Sequence, residues 1–252
     1  MTKQRMNAET RAIVAKLGTF ARRSLPNAHT MPKEVYTSQA FHDLERERVF
    51  GREWLCAGRA ESLPKAGDYL TYRIGHQPII VIRQKDGSLK AFSNVCRHRM
   101  MKLLEGEGSC RRIVCPYHAW SYATDGKLLR APLIAERSDF DVENCRLPRF
   151  ACELWGGFIY VNLSNEAPPL APQLAGLSEL LTHYHMDEMV ELHGEENIWN
   201  TNWKCLVENF MEGYHLSSVH QKTLHSITPT RLCRHYPPGE GYFGYFSNFP
   251  ED

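Results

Sequence analysis

The chain has 252 residues, room for one large domain or two small ones. Its 30 basic and 29 acidic side chains nearly cancel, so charge does not point to a nucleic-acid or anionic-membrane partner. No run of about 18 apolar residues occurs, and no membrane-spanning helix is expected.

The first 25 residues carry Lys3, Arg5, Arg11, Lys16, Arg22 and Arg23 against a single acid, Glu9. A transit peptide has that bias. Ile13, Val14, Leu17 and Phe20 also fall near helical spacing and predict an amphipathic helix. Ser38 is placed to cap a short helix containing Phe41, Leu44 and a charged run to Arg48. From about Gly67 the pattern changes to short strands: Tyr69–Ile74, Pro78–Ile82 and, after the turn Lys85-Asp86-Gly87-Ser88, Leu89–Ser93. Arg112–Cys115 and Trp120–Tyr122 flank a loop, Asp125-Gly126 turns the chain, and Gly156-Gly157 joins Glu153–Trp155 to Phe158–Leu163.

Residues 52–163 therefore predict a small antiparallel β domain, preceded by a helical segment over 1–51. Ser164–Leu174, rich in Pro, Ala and Leu, reads as a linker opening a third region, 164–252. There Leu177–Tyr184 predicts a helix, Val190–Trp199 a strand, and Asn202 the cap of a helix running to about His220. Tyr242, Phe243, Tyr245, Phe246 and Phe249 read as a strand packed on a core. Aromatic faces also hold quaternary ammonium cations, and Trp199 and Trp203 share that ambiguity.

Two fragments in the β region carry the chemistry: Cys96-Arg97-His98 and Cys115-Pro116-Tyr117-His118, with sixteen residues between them. Each places one thiolate and one imidazole on a tight loop. A Rieske [2Fe–2S] centre needs two Cys on one iron and two His on the other. A structural zinc site also uses Cys and His, although its paired Cys usually lie two residues apart, unlike the C-x-H here. The other cysteines, at 56, 110, 145, 152, 205 and 233, are scattered among apolar neighbours and read as reduced and buried. Glu107, Gly108 and Ser109 suggest a turn before Cys110.

The helix after Asn202 contains Glu212, His215 and His220. A five-residue spacing turns about 140° past one full revolution of an ideal α-helix, so both imidazoles face one way only across a π bulge or a break. Two His and a carboxylate form the facial triad of oxygen-activating Fe(II). A solvated or hydrogen-bonded His pair is the plainer reading of this fragment alone.

Taken together, the cluster loops, Asn202-Trp203-Lys204, and Glu208-Asn209-Phe210 leading to Glu212, His215 and His220 resemble the α subunit of Rieske non-haem iron oxygenases, from about Tyr36 onward. The resemblance implies an α+β fold: an antiparallel β Rieske domain joined to the beginning of an α+β catalytic domain, helix-grip-like in that family. It implies a [2Fe–2S] cluster on Cys96, His98, Cys115 and His118, and a mononuclear Fe(II) on His215 and His220. Glu212 stands where the family usually has an Asp that couples a neighbouring subunit's cluster to the iron. The Glu resembles the subgroup acting on quaternary ammonium compounds.

The same resemblance implies O₂ as co-substrate, NAD(P)H and flavin on a separate reductase (or a ferredoxin as donor), a homotrimer, and a small-molecule substrate that is either an aromatic ring or an N-methyl group. Three departures stand out. Met100 replaces a common Gly, and Met does not enter positive φ cheaply. Met101 and Tyr117 occupy positions where some Rieske proteins carry a further disulfide, which fits a reducing, cytoplasmic setting. The family's carboxylate iron ligand lies far downstream, and no residue here matches it, so the chain reads as truncated and the terminal Glu251 and Asp252 are not nominated. A Rieske ferredoxin that only carries electrons is the alternative; the 90 or so residues beyond a ferredoxin's length, with their two-His helix, count against it.

Overall fold

The computed structural model describes residues 6–134, 140–237, 239 and 241–250. Lys3 and Arg5 of the basic segment, and Glu251 and Asp252, lie outside the described residues. The chain divides into two compact units, one of Glu45–Pro172 with Leu181–Leu192, the other of Met1–Leu44, Gln173–Leu180 and His193–Asp252.

The first unit is built on a seven-stranded antiparallel sheet. Its strands are β1 (Leu55–Arg59), β2 (Asp68–Ile74), β3 (Gln77–Arg83), β4 (Leu89–Ser93), β5 (Glu107–Ser109), β9 (Arg149–Trp155) and β10 (Phe158–Asn162), in the order β1-β10-β9-β4-β3-β2-β5. A second, three-stranded sheet contains β6 (Ile113–Val114), β7 (Ser121–Tyr122) and β8 (Leu128–Arg130). The run Ile79-Ile80-Val81-Ile82 in β3 is wholly buried. Alternate residues feed two clusters: Ile80 and Ile82 join Phe92, Ile113, Tyr122 and Leu128, while Ile79 and Val81 join Leu63, Leu70, Ile159 and Val161. Each such aliphatic side chain stabilises the fold by about 1.5–3 kcal/mol. Gly156 and Gly157 have φ of 55° and 79°, the pair of positive values that a two-residue hairpin of this twist requires.

Glu107–Ser109 is a strand rather than the expected turn. It covers the edge of β2, with Asp68 opposite Ser109 and Leu70 opposite Glu107. The Arg59 guanidinium is buried against Glu61 at 2.8 Å and over the Phe158 ring at 4.6 Å. It also donates to the carbonyls of Gly156, Met186 and Met189, which fixes the 181–192 segment to the sheet.

In the second unit, α1 (Ala8–Ala21) is the amphipathic helix expected from its periodicity, capped by Asn7, whose side chain accepts Thr10 N–H at 2.8 Å. It buries Ile13 against Val35 and Phe41, from α2 (Glu34–Thr37) and α3 (Gln39–Glu45). Ser38 caps α3 as expected, accepting Phe41 N–H at 3.2 Å. After α4 (Leu170–Gln173), which closes the long segment of the first unit, this unit continues with α5 (Ala175–Leu181), α6 (Trp203–Phe210), α7 (Leu216–Val219) and a two-stranded sheet, β11 (Cys233–His235) with β12 (Tyr245–Ser247).

Several expectations fail here for identifiable reasons. Val190–Trp199 forms no strand: Val190, Leu192, Ile198 and Trp199 are exposed, and no sheet edge among the described residues supplies partners for its backbone. Within the aromatic run, Phe243 and Phe249 are exposed and only Tyr245 and Phe246 lie in a paired strand, so it is not a core strand. Cys56 and Cys205 are exposed rather than buried. The single helix expected from Asn202 to His220 is broken into α6 and α7. The Glu212 carboxylate takes the Tyr214 and His215 amides that a continuous helix would bond to its own carbonyls.

Candidate metal centres

The two ligand loops of the sheet unit are one turn built twice. Val95 pairs with Lys102 and Val114 with Ser121, so each Cys follows the residue that closes its hairpin. Cys96 N–H donates to Met101 O at 2.8 Å, and Cys115 N–H donates to Trp120 O at 2.8 Å. The amides of Met100 and Ala119 return to the carbonyls of Cys96 and Cys115, each at 3.1 Å. The residue four after each Cys is left-handed: Met100 has φ 60° and Ala119 φ 56°. Met100 therefore enters the region that Met does not enter cheaply. The cost is about 1–2 kcal/mol of local backbone energy; its side chain, 76% exposed, meets no packing penalty.

Buried Asn94 holds the first loop at its base. Its Nδ2 donates to Leu104 O at 2.8 Å, and its Oδ1 accepts the amides of Leu103 and Leu104 at 3.2 and 2.8 Å. Sequence reasoning passed over Asn94. The available signal was a polar residue placed between a buried strand and a ligand loop.

The turns bring like groups together. Cys96 and Cys115 are both buried in the cluster around Ile80, Phe92, Trp120 and Tyr122. Burial pushes the Cys96 thiol up, the hydrogen bond with Tyr122 acts the other way, and the neighbouring Cys115 adds to the rise. Such thiols lose their protons to a metal rather than to water. The His98 and His118 rings lie 4.6 Å apart, with His98 stacked on Trp120 at 4.9 Å. Burial, His118 and Arg99 lower the His98 pKa, which favours the neutral imidazole that a metal requires. His118 Nδ1 is buried with no hydrogen-bond partner among the described residues. Paired thiols, paired imidazoles and an orphaned ring nitrogen fit a cluster with two Cys on one iron and two His on the other.

Tyr122 is fully buried, and its hydroxyl lies 3.3 Å from Cys96 Sγ while accepting Arg97 N–H at 3.1 Å. Burial and the Cys96 sulfur hold its phenol above the ordinary range. Toward a thiolate only the phenol can donate. The sequence marks Tyr122 as a strand residue and no more.

The second constellation lies around α6 and α7. Asn202 caps α6, accepting Lys204 N–H at 3.1 Å, and its Nδ2 donates to Tyr36 O at 3.0 Å. Lys204 is buried, its ammonium 5.1 to 5.8 Å from the ring centres of Trp203, Phe41 and Tyr36. Tyr36 donates to both Glu208 carboxylate oxygens, at 2.9 and 3.0 Å; burial and that carboxylate push its phenol up to about 12.

Beyond the break, His215 and His220 flank α7 with ring centroids 5.3 Å apart. Glu212 accepts from His215 Nδ1 and from the amides of Tyr214 and His215. Burial raises its carboxyl pKa, but the His215 hydrogen bond and Tyr214 N–H outweigh it and leave the group below its ordinary value. With Nδ1 holding the proton, Nε2 is the lone pair that a neutral His215 presents to a metal. Among the described residues, no three His, Cys, Asp or Glu side chains converge on one metal position. Two imidazoles with a carboxylate behind one of them fit part of a facial triad.

The family models agree with this division. Residues 53–150 match the Rieske [2Fe–2S] domain, and residues 181–245 match the catalytic domain of ring-hydroxylating α subunits. The chain carries both signature regions of a Rieske oxygenase α subunit. It is 39% identical over 201 residues to the glycine betaine monooxygenase oxygenase subunit of Chromohalobacter salexigens, covering 79% of this chain and 45% of that protein. It is 34% identical over 200 residues to the carnitine monooxygenase oxygenase subunit of Escherichia coli K12, covering 77% and 52%.

A solved quaternary ammonium Rieske monooxygenase in complex with its substrate L-carnitine superposes with a TM-score of 0.78 at 32% identity, over 84% of this chain and 61% of that one. The chain thus spans about half the length of the curated relatives it matches. Its fold is α+β, an antiparallel Rieske domain followed by a helix-and-sheet catalytic region. No helix among the described residues is long and apolar enough to cross a membrane.

Proposed function

We propose that this chain supplies the electron-entry domain and the two-His portion of the iron site of a Rieske monooxygenase acting on a quaternary ammonium compound. The observation that carries the reading is the twice-built turn that pairs Cys96 with Cys115 and His98 with His118. Cys96 and Cys115 would hold one iron of a [2Fe–2S] cluster and His98 and His118 the other, with His215 and His220 binding a mononuclear Fe(II). When bound, these groups supply single electrons and O₂ activation, the chemistry needed to hydroxylate an unactivated carbon.

The chain's own residues prepare for both groups. Trp120 holds the His98 ring by stacking, and Tyr122 offers a hydrogen bond to Cys96. Glu212 fixes the tautomer of His215; were a neighbouring subunit's cluster to lie beside it, it would also be the inter-centre electron bridge. The names of the glycine betaine and carnitine relatives support an N-methylated substrate, whose hydroxylation at the methyl group releases formaldehyde and the demethylated amine. A flavin-containing reductase drawing on NAD(P)H, or a ferredoxin, would supply electrons to a homotrimer. All eight cysteines are free, in keeping with a cytoplasmic setting.

Metal analysis and low-temperature EPR test the reading. Protein purified without air should contain two cluster irons with sulfide and give a rhombic signal on reduction. Bound zinc with no iron would sink it.

A further inference from the structure

One hydroxyl spans both flanks of His215. Thr230 Oγ1 accepts the Ser217 N–H at 3.1 Å and donates to Gly213 O at 2.8 Å. The bridged segment, 213–217, has His215 at its midpoint. α7 has only four residues, so it has few hydrogen bonds of its own with which to hold this segment. Gly213 is also pressed against the strand that follows Thr230: a Cβ there would lie 2.2 Å from Cys233 Sγ, a distance no side chain tolerates. Pro229 O anchors that strand's start by accepting Leu232 N–H at 2.9 Å. The stretch 229–233 is thus a platform, and Thr230 is its polar fastening to the His215 loop.

We propose that Thr230 is a positioning residue for His215. Its hydroxyl sets the backbone of 213–217 so that Nδ1 meets Glu212 and the ring faces His220. The functional meaning rests on the reading of His215 and His220 as metal ligands, whereas the clamp itself is testable with that site empty. Thr230→Val keeps the shape and removes the hydroxyl; Thr230→Ser keeps the hydroxyl and removes the methyl.

The test uses NMR on the full chain with its [2Fe–2S] cluster in place and the His215–His220 site empty, followed by Co(II) titration read by difference absorption. In Thr230→Val, Ser217 amide exchange should rise about tenfold or more and the His215 Nδ1 proton signal should disappear, because both report the local opening that the clamp prevents. Co(II) should bind about 10–100-fold more weakly to Thr230→Val and within about threefold of the parent to Thr230→Ser, the range for groups that orient a ligating His. If Thr230→Val unfolds, Thr230→Ala takes its place. Unchanged Ser217 exchange, or a Thr230→Ser variant as damaged as Thr230→Val, overturns the proposal. His215→Ala binding Co(II) like the parent overturns the metal reading instead, leaving the exchange result to decide the clamp.

Discussion

Replacing Tyr122 by Phe should lower the reduction potential of the cluster. The phenol is fully buried, lies 3.3 Å from Cys96 Sγ, and accepts Arg97 N–H, so its own proton is directed toward the sulfur. Reduction adds negative charge to the cluster, and a hydrogen bond to its sulfur ligand stabilises the reduced form more than the oxidised one. A long O–H···S bond that strengthens on reduction by about 1–1.5 kcal/mol corresponds to about 45–65 mV for a one-electron couple, taking 59 mV per tenfold change. Phe fills the same space among Ile80, Phe92 and Leu128, so the fold should survive. Besides the Cys96 sulfur, the Arg97 amide loses a partner, at a cost of about 1–3 kcal/mol. Redox titration followed by EPR gives the potential directly. A potential unchanged within about 10 mV, or one that rises, would refute the reasoning that Tyr122 donates to Cys96.

Asn94→Ala should destabilise the first unit by about 1–3 kcal/mol, since it removes the side-chain partner of the part-buried Leu104 amide and carbonyl, while the Leu103 amide keeps the Asn94 carbonyl at 3.3 Å; a loss below about 0.5 kcal/mol in denaturant titration would contradict the clamp. Glu212→Ala should weaken Co(II) or Fe(II) affinity about 10–100-fold through loss of His215 orientation, and leave the visible spectrum of the cluster unchanged. The Cys152 thiol is pushed up to about 12 by burial, from an ordinary value of 9.0. Its folded pKa exceeds its unfolded one, so the stability it contributes is complete below pH 9.0 and declines as pH rises toward about 12. Cys152→Ala should therefore flatten the alkaline loss of stability relative to the parent, and parallel pH curves would show the burial to be inconsequential. In alkylation mapping at pH 8, exposed Cys56 and Cys205 should react well before Cys152.

Much of the β unit could be read directly. Leu89–Ser93 has the bounds expected, and the Gly156-Gly157 turn and the Asp86-Gly87 turn lie where their residue types put them, because hairpins are decided by neighbours in sequence. β5 was misread because Glu107-Gly108-Ser109 has turn composition; only the open edge of β2 makes it a strand. Val190–Trp199 erred in the opposite direction, with strand-like residues that pair with no strand among the described residues. The break between α6 and α7 was equally hidden: helical periodicity continues through Glu212, whereas the carboxylate's claim on two amides is visible only in three dimensions.

Cys96, His98, Cys115 and His118 announce their chemistry by residue type and spacing, since a short loop between paired strands leaves few ways to arrange them. His215 and His220 name a second candidate centre but not its geometry, because five residues apart on an ideal helix they would diverge. What converges the two rings, pairs the thiols in a buried core and turns Met100 left-handed is contact between residues distant in the chain: Asn94 with Leu104, Tyr122 with Cys96, Thr230 with Gly213. Short-range pattern determines which donors are present; long-range packing and hydrogen bonding determine which way they face.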